Sequence, residues 1–272
     1  MAPVTYEPFT FIRRVRPHKR GFTLIEMIAA LAILMTIVAI AVPMAIKFME
    51  VQETRSARTE MSHIFTNIFF GDPRNGTFGF VGDIGDYPKS LKDLLVNPGY
   101  KKYHTTEDAF GNLSGVKYGW NGPYSPDGEN LLKDPWGENY LYKYDPSKAA
   151  IIISKGPDKK EGTADDLTYP INGEEIPVYG SILVEVRDER NNHIPATATL
   201  LFYYSAGGKE EYDKAACPCS SPGYTCTVLF DGTHVHHGLH LIQLLDGTGH
   251  ILTSTIATVI RGQQTKVTLT LR

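Results

Sequence analysis

The chain is 272 residues long and carries 27 Lys and Arg against 30 Asp and Glu, a formal net charge of −3. Charge so nearly balanced, with a slight acidic excess, argues against a nucleic-acid or anionic-lipid partner. No Gly-x-Ser-x-Gly elbow, phosphate-binding glycine loop or His-Glu-x-x-His helix occurs, which removes the commonest hydrolase, nucleotide-binding and zinc-protease readings.

Residues 22–46 form an apolar run with a single charge near its start, Glu26. As a helix this run is long enough to cross a hydrocarbon core of roughly 30 Å. A carboxylate is expensive there, about 2.5–3.5 kcal/mol at the centre of a spanning helix and less toward an end, so Glu26 marks a function rather than a plain anchor. Arg13, Arg14, Arg16, Lys19 and Arg20 precede the run. By the positive-inside rule they hold the N-terminus in the cytoplasm, and the chain beyond the span faces outward. Residues 47–70 carry Met61, Ile64, Phe65, Ile68 and Phe69 at helical spacing, with Arg55, Arg58, Glu60 and His63 opposite. The pattern predicts an amphipathic continuation of one long helix, packed on a globular head.

Gly21-Phe22-Thr23-Leu24-Ile25-Glu26, the apolar run behind it and Pro43 within it resemble the N-terminus of type IV pilins and type II secretion pseudopilins. The resemblance implies cleavage after Gly21 by the prepilin peptidase, a membrane aspartic peptidase acting on the cytoplasmic side, and methylation of the new amine at Phe22. It makes Glu26 the carboxylate that meets a neighbouring subunit's N-terminal amine during assembly, so that a buried charge finds its partner. It further implies self-association into a filament, with an inner-membrane assembly platform and its ATPase as partners. The location implied is a single pass through the inner membrane with the C-terminal part periplasmic, and then an extracytoplasmic filament. A cleaved secretory signal or a simple anchor is the alternative. A secretory apolar region is usually shorter, about 7–15 residues, and Ala45 and its neighbours offer only a weak cleavage site. The implied leader, residues 1–21, is longer than many in the family. It holds five Lys or Arg and one Glu, so its removal leaves a markedly more acidic chain.

Beyond the helix, the glycine-rich residues 71–86 read as loop with one short extended piece. Residues 88–95, with Leu91, Leu94 and Leu95 at helical spacing, predict one or two helical turns ended near Asn97-Pro98. Residues 118–124 read as a turn in which Trp120 and Tyr124 are core anchors. Residues 140–144 and 150–154, joined by Asp145-Pro146-Ser147-Lys148, carry an antiparallel hairpin signature. The loop after it, residues 154–167, returns Asp158, Glu161, Asp165 and Asp166 to one short glycine-punctuated segment. Calcium takes six to eight oxygens at about 2.3–2.6 Å from carboxylates and carbonyls, which suits clustered aspartates on a tight loop. The alternative is a solvated acidic turn, partly neutralised by Lys159 and Lys160. The segment resembles the calcium loop of the major pseudopilin of type II secretion. That resemblance makes Asp158, Asp165 and Asp166 side-chain ligands of a structural calcium, with carbonyls near Ser154 and Leu167 completing the shell.

From residue 175 the character changes. Alternating runs at 181–187, 196–204, 226–230, 239–244, 251–260 and 266–271, separated by turns such as Asn191-Asn192, Gly207-Gly208 and Asp246-Gly247, predict a small all-β sandwich. Their order resembles the transthyretin-like or carboxypeptidase-regulatory sandwich, a module that pseudopilins do not normally carry and that implies a specialised subunit. In an extracytoplasmic compartment Cys226 can pair with Cys217 or with Cys219, leaving one thiol over. His234, His236 and His240 share parity on a strand and can face one way, a set that suits zinc, copper or nickel if the strand is regular across Gly238. Surface polar residues or a turn are the alternative.

The expected fold is therefore α+β: leader 1–21, long helix 22–70 with its span at 22–46, pilin-like head 71–174 and C-terminal β-sandwich 175–272. The function expected is that of a structural, non-enzymatic pilin or pseudopilin subunit of a type IV pilus or type II secretion filament. A minor or tip subunit whose sandwich binds a surface or secreted cargo is the first alternative. A membrane-anchored periplasmic binding protein or enzyme is the second.

Overall fold

The computed structural model describes residues 21–108, 111–145, 150–171, 174, 176–189, 194–217, 225–232 and 235–271. The leader before Gly21, the turn residues Pro146, Ser147 and Lys148, the Asn191-Asn192 turn, Cys219 and His234 lie outside the described residues. The chain divides into two units, Met1–Met49 and Glu50–Arg272.

The first unit contributes most of helix α1 (Leu24–His63). Leu, Ala, Met and Ile form helix readily, and here the apolar side chains surround the whole circumference. Every described residue up to Glu50 is exposed, Phe22 at 85% and Ile40 at 73%. The helix is long and apolar enough to cross a membrane. Pro43 sits within it, as proline does more often in spanning helices than in soluble ones.

In the second unit the helix becomes amphipathic, with Ala57 and Met61 buried, and then widens into a π-helical turn, Ile64–Ile68, closed by the Phe69 N–H on the Ile64 carbonyl at 3.0 Å. One extra residue per turn rotates the phase. Phe65, Phe69 and the adjacent Phe70 consequently all enter the core, where they pack on Tyr87 with ring centroids 5.7–5.8 Å away.

The glycine-rich stretch departs from expectation. In place of an extended piece it forms a 3-10 turn, Pro73–Asn75, capped by the Asp72 carboxylate, and a short helix α2 (Gly79–Ile84). Phe80, Val81 and Ile84 lie on one helical face and are fully buried, so burial outweighs the glycines' preference for loop. Gly79 is required: its φ is +62°, and a Cβ there meets the Ile68 and Phe69 carbonyls at 2.6 Å. Ser90 and Asp93 form the capping box of a single 3-10 turn, Leu91–Leu94. Trp120 and Tyr124 meet edge-on at 6.0 Å and pack on the head core, the Trp120 indole donating to the Asp93 carbonyl at 2.8 Å.

An unforeseen antiparallel pair comes next, β1 (His104–Glu107) with β2 (Leu113–Tyr118). After it, β3 (Leu141–Lys143), β4 (Ile151–Ser154) and β5 (Leu167–Tyr169) make a three-stranded antiparallel sheet, extending the expected hairpin by one strand.

The C-terminal region is β-rich throughout: β6 (Ser181–Asp188), β7 (Thr199–Ala206), β8 (Lys209–Ala216), β9 (Thr225–Phe230), β10 (Gly238–Leu245), β11 (Ile251–Val259) and β12 (Gln264–Leu271). One sheet has the order β11-β10-β7-β8 and the other β12-β6-β9. β12 runs parallel to β6, in register from Gln264 opposite Ser181 to Leu271 opposite Asp188. Ile182, Val184 and Val186 of the smaller sheet share one core with Leu200, Phe202, Ile242 and Leu244 of the larger. The arrangement is compatible with a β-sandwich. β8 was not foreseen: this edge strand is mostly charged from Lys209 to Lys214 and shows no apolar alternation, and it is reached through Gly207 and Gly208, both at positive φ. On the other face of the larger sheet, Val116 and Tyr118 of β2 pack against Leu201, Tyr203, Leu241 and Leu245.

Candidate functional site

The N-terminal motif is built around a reciprocal cap. The Thr23 hydroxyl accepts from the Glu26 N–H at 3.3 Å, and one Glu26 carboxylate oxygen accepts from the Thr23 N–H at 2.9 Å and the Thr23 hydroxyl at 3.0 Å. This is the capping box that Thr-x-x-Glu encodes, a signal in the sequence that the reading of Glu26 as an assembly residue passed over. Gly21 and Phe22 lie exposed just before the helix starts. The carboxylate of Glu26 is therefore held within one helical turn of the Gly21-Phe22 bond.

The acidic loop leaves β4 at Ser154 and returns to β5 at Leu167, and these two residues are direct partners in the sheet. That pairing brings both ends of the loop together. Ser154 is fully buried and donates its hydroxyl to Asp134 at 2.6 Å. Asp134 is itself buried and accepts from the Trp136 and Glu138 N–H groups, an Asx turn that anchors the loop base and that the reading from sequence missed. Gly156 has φ +65°, and a Cβ there meets the Asp165 carbonyl at 2.5 Å. Only glycine lets the two arms approach so closely.

Within the loop, Asp165 accepts from the Asp158 N–H at 3.1 Å and from the Thr163 hydroxyl at 2.8 Å. The hydroxyl bond chiefly, then the backbone N–H, holds the Asp165 carboxyl below the usual range. Asp158 accepts from the Lys160 N–H at 2.8 Å, and Asp166 from the Gly162 N–H at 2.7 Å. The other Asp166 oxygen, Oδ1, is buried with no hydrogen-bond partner. Of the two lysines expected to neutralise the loop, Lys159 turns to Glu138 outside it. Lys155 and Lys159 both approach Glu138, at 3.4 and 3.9 Å, and Lys143 pairs with Glu161 at 3.0 Å. Among the described residues, no three His, Cys, Asp or Glu side chains are gathered closely enough to hold a metal alone.

Cys217 and Cys226 form a disulfide that ties the end of β8 to β9. His236, His237 and His240 are buried, which corrects the expectation of surface polar residues. His237 Nε2 lies 2.9 Å from the Phe70 carbonyl, and desolvation pushes its ring down to about 4. His240 stacks on Phe202 at 4.8 Å between the Tyr203 and His236 carbonyls. Burial lowers its pKa as well. The His237 and His240 rings fill the core and donate hydrogen bonds to backbone carbonyls there, on a segment that β10 enters only at Gly238, so strand parity across His236 and His237 does not apply.

A long, exposed, apolar N-terminal helix, long and apolar enough to cross a membrane, carries this motif. Residues 16–42 match the prokaryotic N-terminal methylation motif, and residues 95–169 match the type II secretion system protein G family. The type IV major pilin protein PilA of Myxococcus xanthus is 34% identical over 80 residues, which are 29% of this chain and 36% of that protein. The chain thus matches about a third of that relative's length. Over these segments the chain is similar to pilins and pseudopilins, and the families matched are structural subunits. The second family match takes in the whole acidic loop and ends at Tyr169, before β6.

Proposed function

We propose that the chain is a filament subunit of a type IV pilus or a type II secretion system. In this reading the prepilin peptidase cleaves after Gly21, Phe22 becomes the methylated first residue, and copies assemble through their N-terminal helices. An inner-membrane platform and its ATPase drive assembly, and residues beyond the span face the periplasm. Glu26 meets the N-terminal amine of a neighbour, exchanging its internal bonds to Thr23 for a charge partner. The observation that carries the reading is the exposed apolar helix with one carboxylate at its start, since hydrocarbon or other helices can cover every face of it and water cannot. Mass spectrometry of the N-terminus in native membranes tests it. A methylated Phe22 that disappears when the peptidase is removed is expected. An intact leader, or a terminus near Ala45, overturns it.

The acidic loop fits a structural calcium in this reading. Asp158, Asp165 and Asp166 supply carboxylates, with Asp166 Oδ1 buried and unpartnered, and carbonyls near Ser154 and Leu167 complete the set. When bound, the ion offsets the repulsion of carboxylates on one short loop and fixes the loop on its sheet.

A second reading, a minor or tip subunit, draws support from the strands after residue 169, beyond both family matches. It expects a low copy number in purified filaments, counted against the major subunit by quantitative mass spectrometry.

A further inference from the structure

We propose that a cavity beside Asp83 binds a small alkylammonium group, with the Asp83 carboxylate as its counter-charge. The cavity, about 300 Å³, lies between the π-turn, α2 and the 119–124 turn, and its wall includes Asn67, Thr77, Asp83, Tyr103, Asn121 and Tyr124. This is the lower end of the range for small-ligand sites, room for a compact head group. It lies apart from the N-terminal motif and the acidic loop and is independent of the filament reading.

Asp83 is 6% exposed. Its backbone carbonyl is fixed by the Gly119 N–H at 3.0 Å and the Ser205 hydroxyl at 3.1 Å. Its carboxylate accepts from the Tyr124 hydroxyl at 3.0 Å, and that hydroxyl accepts in turn from the Asn121 N–H at 3.0 Å. Among the described residues, none of the ion pairs involves Asp83. A buried acid with hydrogen bonds but no cation carries an unmet charge whenever it ionises. Burial accordingly pushes its carboxyl up to about 7, against the pull of Tyr124 and Asn121.

The wall chemistry selects the ligand. An anion is repelled by Asp83, and a neutral molecule gives no return for ionising it. An ammonium supplies the missing charge, with Asn67, Asn121 and Thr77 offering oxygens to its N–H groups. Phenol rings also attract a cation. Tyr103 is near enough for the charge of Asp83 to raise its hydroxyl's pKa, after burial has done so.

The test is calorimetric titration of the full-length protein in detergent with n-butylammonium at pH 6, 7 and 8, and at pH 7 in two buffers of different ionisation enthalpy. Saturable binding is expected, about tenfold tighter at pH 8 than at pH 6 and releasing protons at pH 7, because the ligand requires the ionised acid. Folded Asp83→Asn should not bind. Absence of binding at pH 8, binding without proton release, or binding retained by folded Asp83→Asn overturns the assignment. Should the variant fail to fold, the wild-type pH ratio and proton count decide alone. Displacement of butylammonium by calcium at equal ionic strength would make the site a metal site, and that too contradicts the proposal.

Discussion

Residues 24–49 and the strands between 181 and 271 use the same apolar residue types to opposite ends. In the helix Ile25, Ile28 and Ile33 are 75%, 57% and 62% exposed, whereas Ile182 and Ile242 in the strands are 0% exposed. A strand alternates its faces, so the chain can bury one set by folding on itself, at about 1.5–3 kcal/mol for each large side chain. A helix apolar on every side has no face to hide. The difference teaches that the C-terminal core is stabilised within one chain, while the N-terminal helix is stabilised by its surroundings.

The sharpest way to break this comparison is a matched pair of truncations. Phe202 is fully buried against Phe230 and His240, and Phe202→Ala should cost about 3–5 kcal/mol in urea unfolding of the full chain in detergent. Ile28→Ala, on the exposed helix, should leave that transition within about 0.5 kcal/mol of wild type. Equal costs at the two positions would erase the distinction.

Calcium comes next. At about 100 times its dissociation constant a ligand that binds only the folded state adds about 2.7 kcal/mol. Calcium should therefore raise the thermal midpoint of wild type and leave Asp166→Ala unmoved. No shift at millimolar calcium would leave the loop as a solvated acidic turn.

Two buried groups in the same unit then pull stability in opposite directions with pH. His237 titrates near 4 in the fold and near 6.5 in its absence, so the stability it contributes is present above 6.5 and lost as pH falls toward 4. Asp83, raised to about 7, takes up a proton in the fold over part of that range and offsets the loss. Between pH 7 and pH 5, Asp83→Asn should lose roughly 2 kcal/mol that wild type largely retains, read from chemical unfolding at the two pH values. A backbone comparison within the acidic loop comes last, at Gly156. Alanine there should cost about 1–2 kcal/mol from the left-handed backbone alone, plus the clash with the Asp165 carbonyl. Gly162→Ala, at φ +90° with open space around it, should cost less in the same assay.

Which parts were legible from sequence depends on how local their signals are. The long apolar helix, the β3–β4 hairpin and most C-terminal strands announce themselves within ten or twenty residues by period and turn chemistry. α2 and β2 do not: α2 is decided by Phe80, Val81 and Ile84 entering the head core, and β2 by Val116 and Tyr118 meeting Leu201 and Leu241 across the chain. The parallel pairing of β12 with β6 is likewise a matter of tertiary contact. At the candidate sites the aspartates and Glu26 were visible as residue types. Asp134 under the loop, the Thr23 cap and the burial of His237 against Phe70 were not read, though Asp-Pro-Trp-Gly and Thr-x-x-Glu carried the first two as turn and capping signals.

The most direct test of the account is filament yield from cells expressing wild type or Glu26→Ala at equal membrane levels, with mature N-termini verified in both. Filaments are expected from wild type and at least tenfold fewer from the variant, because the helix loses the charge proposed to pair neighbouring subunits while each chain still folds. Filaments of normal number from processed Glu26→Ala would contradict it.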